Sequence, residues 1–207
     1  STSSYTYTLY LYIYSYLYLL LLLLLLILLL QAKGGAGNAD DDKYVYVING
    51  FYMAMRGKFT DPKASIYYYV VEWPTSALKW EDFRGTVLGA TNPHEAAPGS
   101  LRKQVLEQWK ALGLPAEPDT GDNGVHASAS PFEALSERIN WCGATLETDA
   151  YGKGLMAAGV DAKTIMAWAN DPQVNLPDGG KGSLFDALED MDADACLDKA
   201  VAIKQAN

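Results

Sequence analysis

Cysteine is scarce in this chain: Cys142 and Cys196 are the only two among 207 residues. Two are too few for a disulfide-stapled secreted fold, and neither belongs to a Cys-x-x-Cys pair. Buried packing is their default role. Positive charge is also short, with 16 Lys and Arg against 25 Asp and Glu and a net charge of −9. That balance excludes a nucleic-acid-coating role, which needs clustered cations. Internal repeats are absent. Asp190, Asp192 and Asp194 mimic the start of a calcium loop, but Ala195 stands where its glycine belongs and Val201 where its glutamate belongs. These carboxylates are expected on the solvated face of the last helix. Gly179-Gly180-Lys181-Gly182 is too short for a phosphate loop.

Charge of either sign is missing from residues 1–30, which hold 14 Leu and 7 of the 14 Tyr. The whole −9 therefore belongs to residues 31–207. Tyr alternates with Leu, Ile or Ser from Leu9 to Tyr18, and 19–30 is Leu broken by Ile27. A run of about 20 apolar residues can span a bilayer, and a shorter one forms the core of a signal peptide. Three readings compete: a targeting signal or membrane anchor, with membrane contact through 9–30; a tail of biased composition; and the translation of a simple nucleotide repeat at the start of a fragment. Without a targeting role the expected compartment is cytoplasmic. Residues 31–39 are small and linker-like, and Asp40-Asp41-Asp42 is an acidic stop. Residues 1–43 are set apart from the fold.

Residues 44–207 are long enough for one compact domain plus an extension. Strands are expected at 44–48, which ends in the Asn49-Gly50 turn signal, and at 66–73, which ends at Pro74. A short helix is expected over 51–59. Further helices are expected at 76–88, 101–112, 131–141, 161–169 and 183–204. The last carries a stripe of Leu184, Phe185, Leu188, Met191, Leu197 and Val201. Val125-His126 reads as a short extended element. Ser130-Pro131 caps the helix from 131, with Pro at its first position. Strands interleaved with helices indicate α+β or α/β.

Only two histidines exist, His94 and His126. His94, beside Asn92-Pro93 and Glu95, reads as an exposed loop residue. His126 stands in a loop of small residues that leave room for a ligand, with hydroxyls at Ser128 and Ser130. A helix carrying Glu137 follows. A carboxylate bonded to one imidazole nitrogen fixes the tautomer and makes the other nitrogen the nucleophile.

Several short motifs in order resemble the nucleoside diphosphate kinases. Val87-Leu88-Gly89-Ala90-Thr91-Asn92-Pro93 resembles the family's Leu-Gly-x-Thr-Asn-Pro turn. Pro98-Gly99-Ser100-Leu101-Arg102 resembles its Pro-Gly-x-x-Arg segment, and Asn123-Gly124-Val125-His126-Ala127-Ser128 its Asn-x-x-His-x-Ser segment. Glu137 follows His126 by eleven residues, the family spacing. The strand 69–73 and the segment 50–56 resemble the family's central strand and its Pro-Phe-Phe segment. The likeness covers roughly 50–141.

The resemblance implies an α+β fold with a ferredoxin-type sheet and helices over 44–141, followed by a helical C-terminal extension over 142–207. It implies transfer of the γ-phosphate of a nucleoside triphosphate to a diphosphate through phospho-His126, with Glu137 orienting the ring. It also implies phosphate contacts from Arg84, Arg102 and Thr91, ribose contact from Asn123 and base stacking on Phe51. Mg²⁺ would come with the nucleotide, and a homo-oligomer is implied as well. Departures are visible too. The family's Lys-Pro-Asp-Gly motif is absent, and Arg84 precedes Gly89 by five residues, one more than the family spacing. An insertion lies within 104–119. The alternative is a catalytically silent subunit or nucleotide-binding module, tethered to a membrane or not.

Overall fold

The computed structural model describes the strand Tyr5–Leu9, positions 50, 57, 60–63 and 65, and residues 67–207. The chain divides into two units, one of 1–11 with 67–207 and one of 12–66. In the second, Asp61-Pro62-Lys63 breaks the chain as its composition demands, with the Lys63 amide donating to Asp61 Oδ1 at 2.9 Å. The strand expected at 44–48, the body of the helix expected at 51–59, and Phe51 lie outside the described residues, as does the apolar run after Leu9. Among the described residues no helix is long and apolar enough to cross a membrane.

The first unit is α+β. β1 (Tyr5–Leu9) pairs antiparallel with β2 (Tyr69–Trp73), in a register that sets Tyr5 opposite Trp73 and Leu9 opposite Tyr69. β1 falls within residues 1–43. Its alternating Tyr and Thr are the residue types that suit a pleated surface. A second sheet is the hairpin β3 (Gln173–Asn175) with β4 (Lys181–Ser183). Gly179 and Gly180 form its turn at φ 99° and 85°, which gives the glycine run a structural role. These two-stranded sheets are the only ones among the described residues, so a four-stranded ferredoxin-type sheet is not seen there.

The expected helix at 76–88 begins late. Pro74 to Ala77 form a turn, closed by the Ala77 amide on Pro74 O at 2.8 Å. α1 (Trp80–Asp82) follows and passes directly into a π-helical stretch, Phe83–Leu88. α2 (Leu101–Gln108) is capped by Ser100 and stops short of Leu112. α3 (Pro131–Cys142) is capped by Ser130, with Pro131 in its first turn as expected. No strand forms at Val125-His126.

The C-terminal region holds α4 (Ala150–Ala157), α5 (Ala162–Trp168), α6 (Leu184–Leu188) and α7 (Ala193–Ala206). The single helix expected over 183–204 is two, because Asp190 takes a left-handed φ of 58° that no α-helix continues through. The buried side chains of α7 are Ala193, Cys196, Ala200 and Ile203, while Leu197 and Val201 are only half-buried. One core joins α1 and α3 to the C-terminal helices through Trp80, Phe132, Leu135, Leu155, Leu188 and Ile203. Burying a side chain such as Phe132, at 0% exposure, contributes about 1.5–3 kcal/mol. Cys196 sits in this core under the Tyr151 hydroxyl, and burial pushes its thiol up to about 11, which makes it inert packing.

Candidate active site

His126 lies between the Thr91-Asn92-Pro93 turn and the start of α3, in an irregular loop held by hydrogen bonds. Its Nε2 is 3.0 Å from Glu137 Oε1. Ser128 donates its hydroxyl to the other carboxylate oxygen of Glu137. Both oxygens of this buried carboxylate are therefore engaged by residues of the His126 loop. A carboxylate only accepts, so Nε2 is the donor in this contact. The imidazole itself is only half-buried, with 30% of the side chain exposed.

Ser130 accepts the Glu133 amide at 3.1 Å, and Glu133 turns back to accept the Ala129 amide. This is the reciprocal N-terminal cap of a Ser-x-x-Glu start, shifted by one amide. It ties the loop to the same helix that carries Glu137. Burial pushes the Glu133 carboxyl up from its ordinary range, and the neighbouring Glu137 charge adds to that shift. Indole Nε1 of Trp80 donates to Ser128 O at 3.1 Å, which fixes the loop from the α1 side.

Arg102 joins two of the sequence motifs. One terminal nitrogen donates to Gly89 O at 2.6 Å and the other to Val125 O at 2.9 Å. Its Nε is buried without a partner. Among the described residues no carboxylate pairs with it, and burial together with the nearby charge of Arg84 pushes its pKa down. A half-buried guanidinium without a counter-charge is a natural place for an anion. Gly89 is required where it stands: its φ is 97°, and an added Cβ would meet Ala96 Cβ at 2.9 Å.

Asn123 Nδ2 donates to Thr91 O at 3.0 Å, and Asn123 Oδ1 accepts the Val125 amide at 3.3 Å. Thr91, Asn123 and Arg102 are thereby linked through hydrogen bonds that meet at Val125, the residue before His126. Lys103 donates to His94 O at 3.2 Å. His94 is exposed and faces Glu117 at 3.1 Å.

Arg84 is placed otherwise. Its Nη1 donates to Glu189 Oε1 at 2.9 Å and also to Asp190 Oδ1. Burial opposes its charge, yet the bonds to Asp190 and Glu189 outweigh this and raise its pKa. The Gly89 amide bonds to Arg84 O at 3.2 Å, the i to i+5 closure of the π-helical stretch.

Of the acidic residues expected on the solvated face of the last helix, Asp194 is exposed in the first turn of α7, whereas Asp190 and Asp192 bond to distant parts of the fold. Asp192 stands at the N-cap of α7, but its carboxylate accepts the Trp80 amide at 2.8 Å and the Lys79 ammonium at 2.7 Å. It caps α1 from 112 residues away. No local pattern announces Glu189, Asp190 or Asp192 as neighbours of the site. The Ser-x-x-Glu spacing from Ser130 was a readable signal for Glu133.

The chain is similar to a nucleoside diphosphate kinase. Over 75 residues, 33% of this chain, it is 40% identical to the nucleoside diphosphate kinase of Methanoculleus marisnigri. The match spans 42% of that protein's length. No family model matches the chain. No solved structure matches it.

Proposed function

We propose that the chain is a divergent member of the nucleoside diphosphate kinase family, with the fold of that family, and moves the γ-phosphate of a nucleoside triphosphate to a diphosphate through His126. The observation that carries this reading is the His126–Glu137 contact of 3.0 Å, with Ser128 on the second carboxylate oxygen and Arg102, which no carboxylate pairs among the described residues, anchored one residue away, at Val125. Glu137 accepts the Nε2 proton and so presents the Nδ1 lone pair as nucleophile. The Nδ1–P bond forms as the bond from phosphorus to the bridging oxygen of the leaving diphosphate breaks. The ring then carries positive charge, which the Glu137 carboxylate stabilises. A second nucleoside diphosphate attacks phosphorus, and the electron pair returns to Nδ1.

Arg102 binds phosphate oxygens in this reading. Its planar fork suits that role, although its present bonds are to two carbonyls. Thr91 and Asn123 belong to the same network as Arg102, as phosphate and ribose contacts. Mg²⁺ belongs to the substrate, carried on the nucleotide phosphates. Homo-oligomers are part of the family reading. The 40% identity to a protein named nucleoside diphosphate kinase supports the assignment over 75 residues.

A second reading, a nucleotide-binding module without transfer, is favoured by the carboxylates on Arg84. Incubation with γ-labelled ATP and unlabelled GDP separates the two. Labelled GTP made by the wild type and not by His126→Ala supports transfer. Binding of ATP with no labelled GTP supports the module.

A further inference from the structure

We propose that Glu189 and Asp190 are an internal competitor for Arg84, holding its guanidinium from nucleotide phosphate until the nucleotide displaces them. The inference rests on the reading of Arg84 as a phosphate ligand and adds a regulatory part that the C-terminal region supplies. Both carboxylates bond the same nitrogen, Arg84 Nη1. One guanidinium against two carboxylates leaves that cluster at −1, which repels a polyanion. A carboxylate on a guanidinium nitrogen offers the same charged oxygen acceptor as a phosphate, so the two compete for one donor.

The acidic turn is held against the site from several directions. The Asp190 amide donates to Ala129 O at 2.9 Å, three residues beyond His126. Asp192 locks the far end of the turn onto the Trp80 amide and Lys79. Asp190 keeps a left-handed φ of 58°, which aims its carboxylate and its amide at two different partners. Arg102 gives the contrast, since among the described residues no carboxylate neutralises it. Glu189 and Asp190 are 45% and 42% exposed, so their ion pairs are weak ones that a triphosphate can displace.

Calorimetric titration of the full chain with Mg-ATP tests this. Glu189→Gln with Asp190→Asn keeps both side-chain shapes and suits the left-handed turn. That double variant is expected to bind ATP about fivefold tighter than the wild type. Adding Arg84→Ala erases the gain. If the double variant melts early, Glu189→Gln alone gives a smaller gain in the same direction. A folded variant that binds no tighter overturns the proposal, as does a gain that survives Arg84→Ala, or the absence of ATP binding in every protein. Tighter binding with no phosphate on His126 supports the competitor and overturns only the transfer reading.

Discussion

Replacing Glu137 by Gln isolates charge from shape at the centre of the site. The carboxylate is buried and accepts from His126 Nε2 at 3.0 Å and from the Ser128 hydroxyl. Gln retains one oxygen for the imidazole proton. Its amide group replaces the second oxygen, and the Ser128 hydroxyl can rotate to accept from it. The fold therefore loses little, on the order of 1 kcal/mol or less. Phosphorylation loses more. Positive charge develops on the ring as the N–P bond forms, and the neutral amide cannot answer it. A hydrogen bond to a charged group is worth about 1.5–3 kcal/mol and a neutral one about 0.5–1.5, so the retained neutral bond falls short by about 1–1.5 kcal/mol. At 1.36 kcal/mol per decade, that difference is about 5- to 10-fold in rate. Single-turnover incorporation of label from γ-labelled ATP measures it, with thermal unfolding as the control. A rate within about twofold of the wild type, in a folded protein, refutes the role given to Glu137.

Gly89→Ala is expected to destabilise the fold by about 1–3 kcal/mol, because φ 97° and the contact with Ala96 both penalise a Cβ; chemical denaturation measures it. Leu135→Ala, in the core at 1% exposure, should cost about 2–5 kcal/mol by the same assay. Glu133 is raised by burial and by Glu137, so the folded state holds its proton more tightly than the unfolded chain does. Stability from this group therefore falls as pH rises from the ordinary carboxylate range through the raised value. Glu133→Gln keeps an acceptor for the Ala129 amide, and its melting temperature should gain on the wild type at pH 7 relative to pH 4. Asp161 is lowered to about 2 by its bonds to Thr164, so its stabilisation is present above about pH 4 and is lost as pH falls toward 2. Asp161→Asn should flatten that part of the acid-unfolding curve.

Features set by local chemistry were legible in the sequence. The Ser130-Pro131 start, the helix that begins beside Asp161 and the end of β2 at Pro74 each follow from one or two residues. The spacing from His126 to Glu137 led to a pair in direct contact. Elements that depend on distant partners were not legible. α4 carries Gly152 and Gly154, which weaken a helical signal. It is held by two amide bonds to Asp149 and by close packing of Gly152 on Leu146 O, where a Cβ would stand at 3.0 Å. β3 and β4 have three residues each, too few for an alternating pattern. The late start of α1 depends on Asp192, and the placement of Arg84 on Glu189 and Asp190, all over 100 residues downstream.

In the proposed reaction His126 carries the phosphoryl group. Peptide mapping by tandem mass spectrometry at neutral to alkaline pH, after brief exposure to Mg-ATP, detects it. One phosphoryl group is expected on the peptide containing His126, lost on acid treatment and on addition of a nucleoside diphosphate. An unmodified His126 peptide in a chain that binds ATP would contradict it.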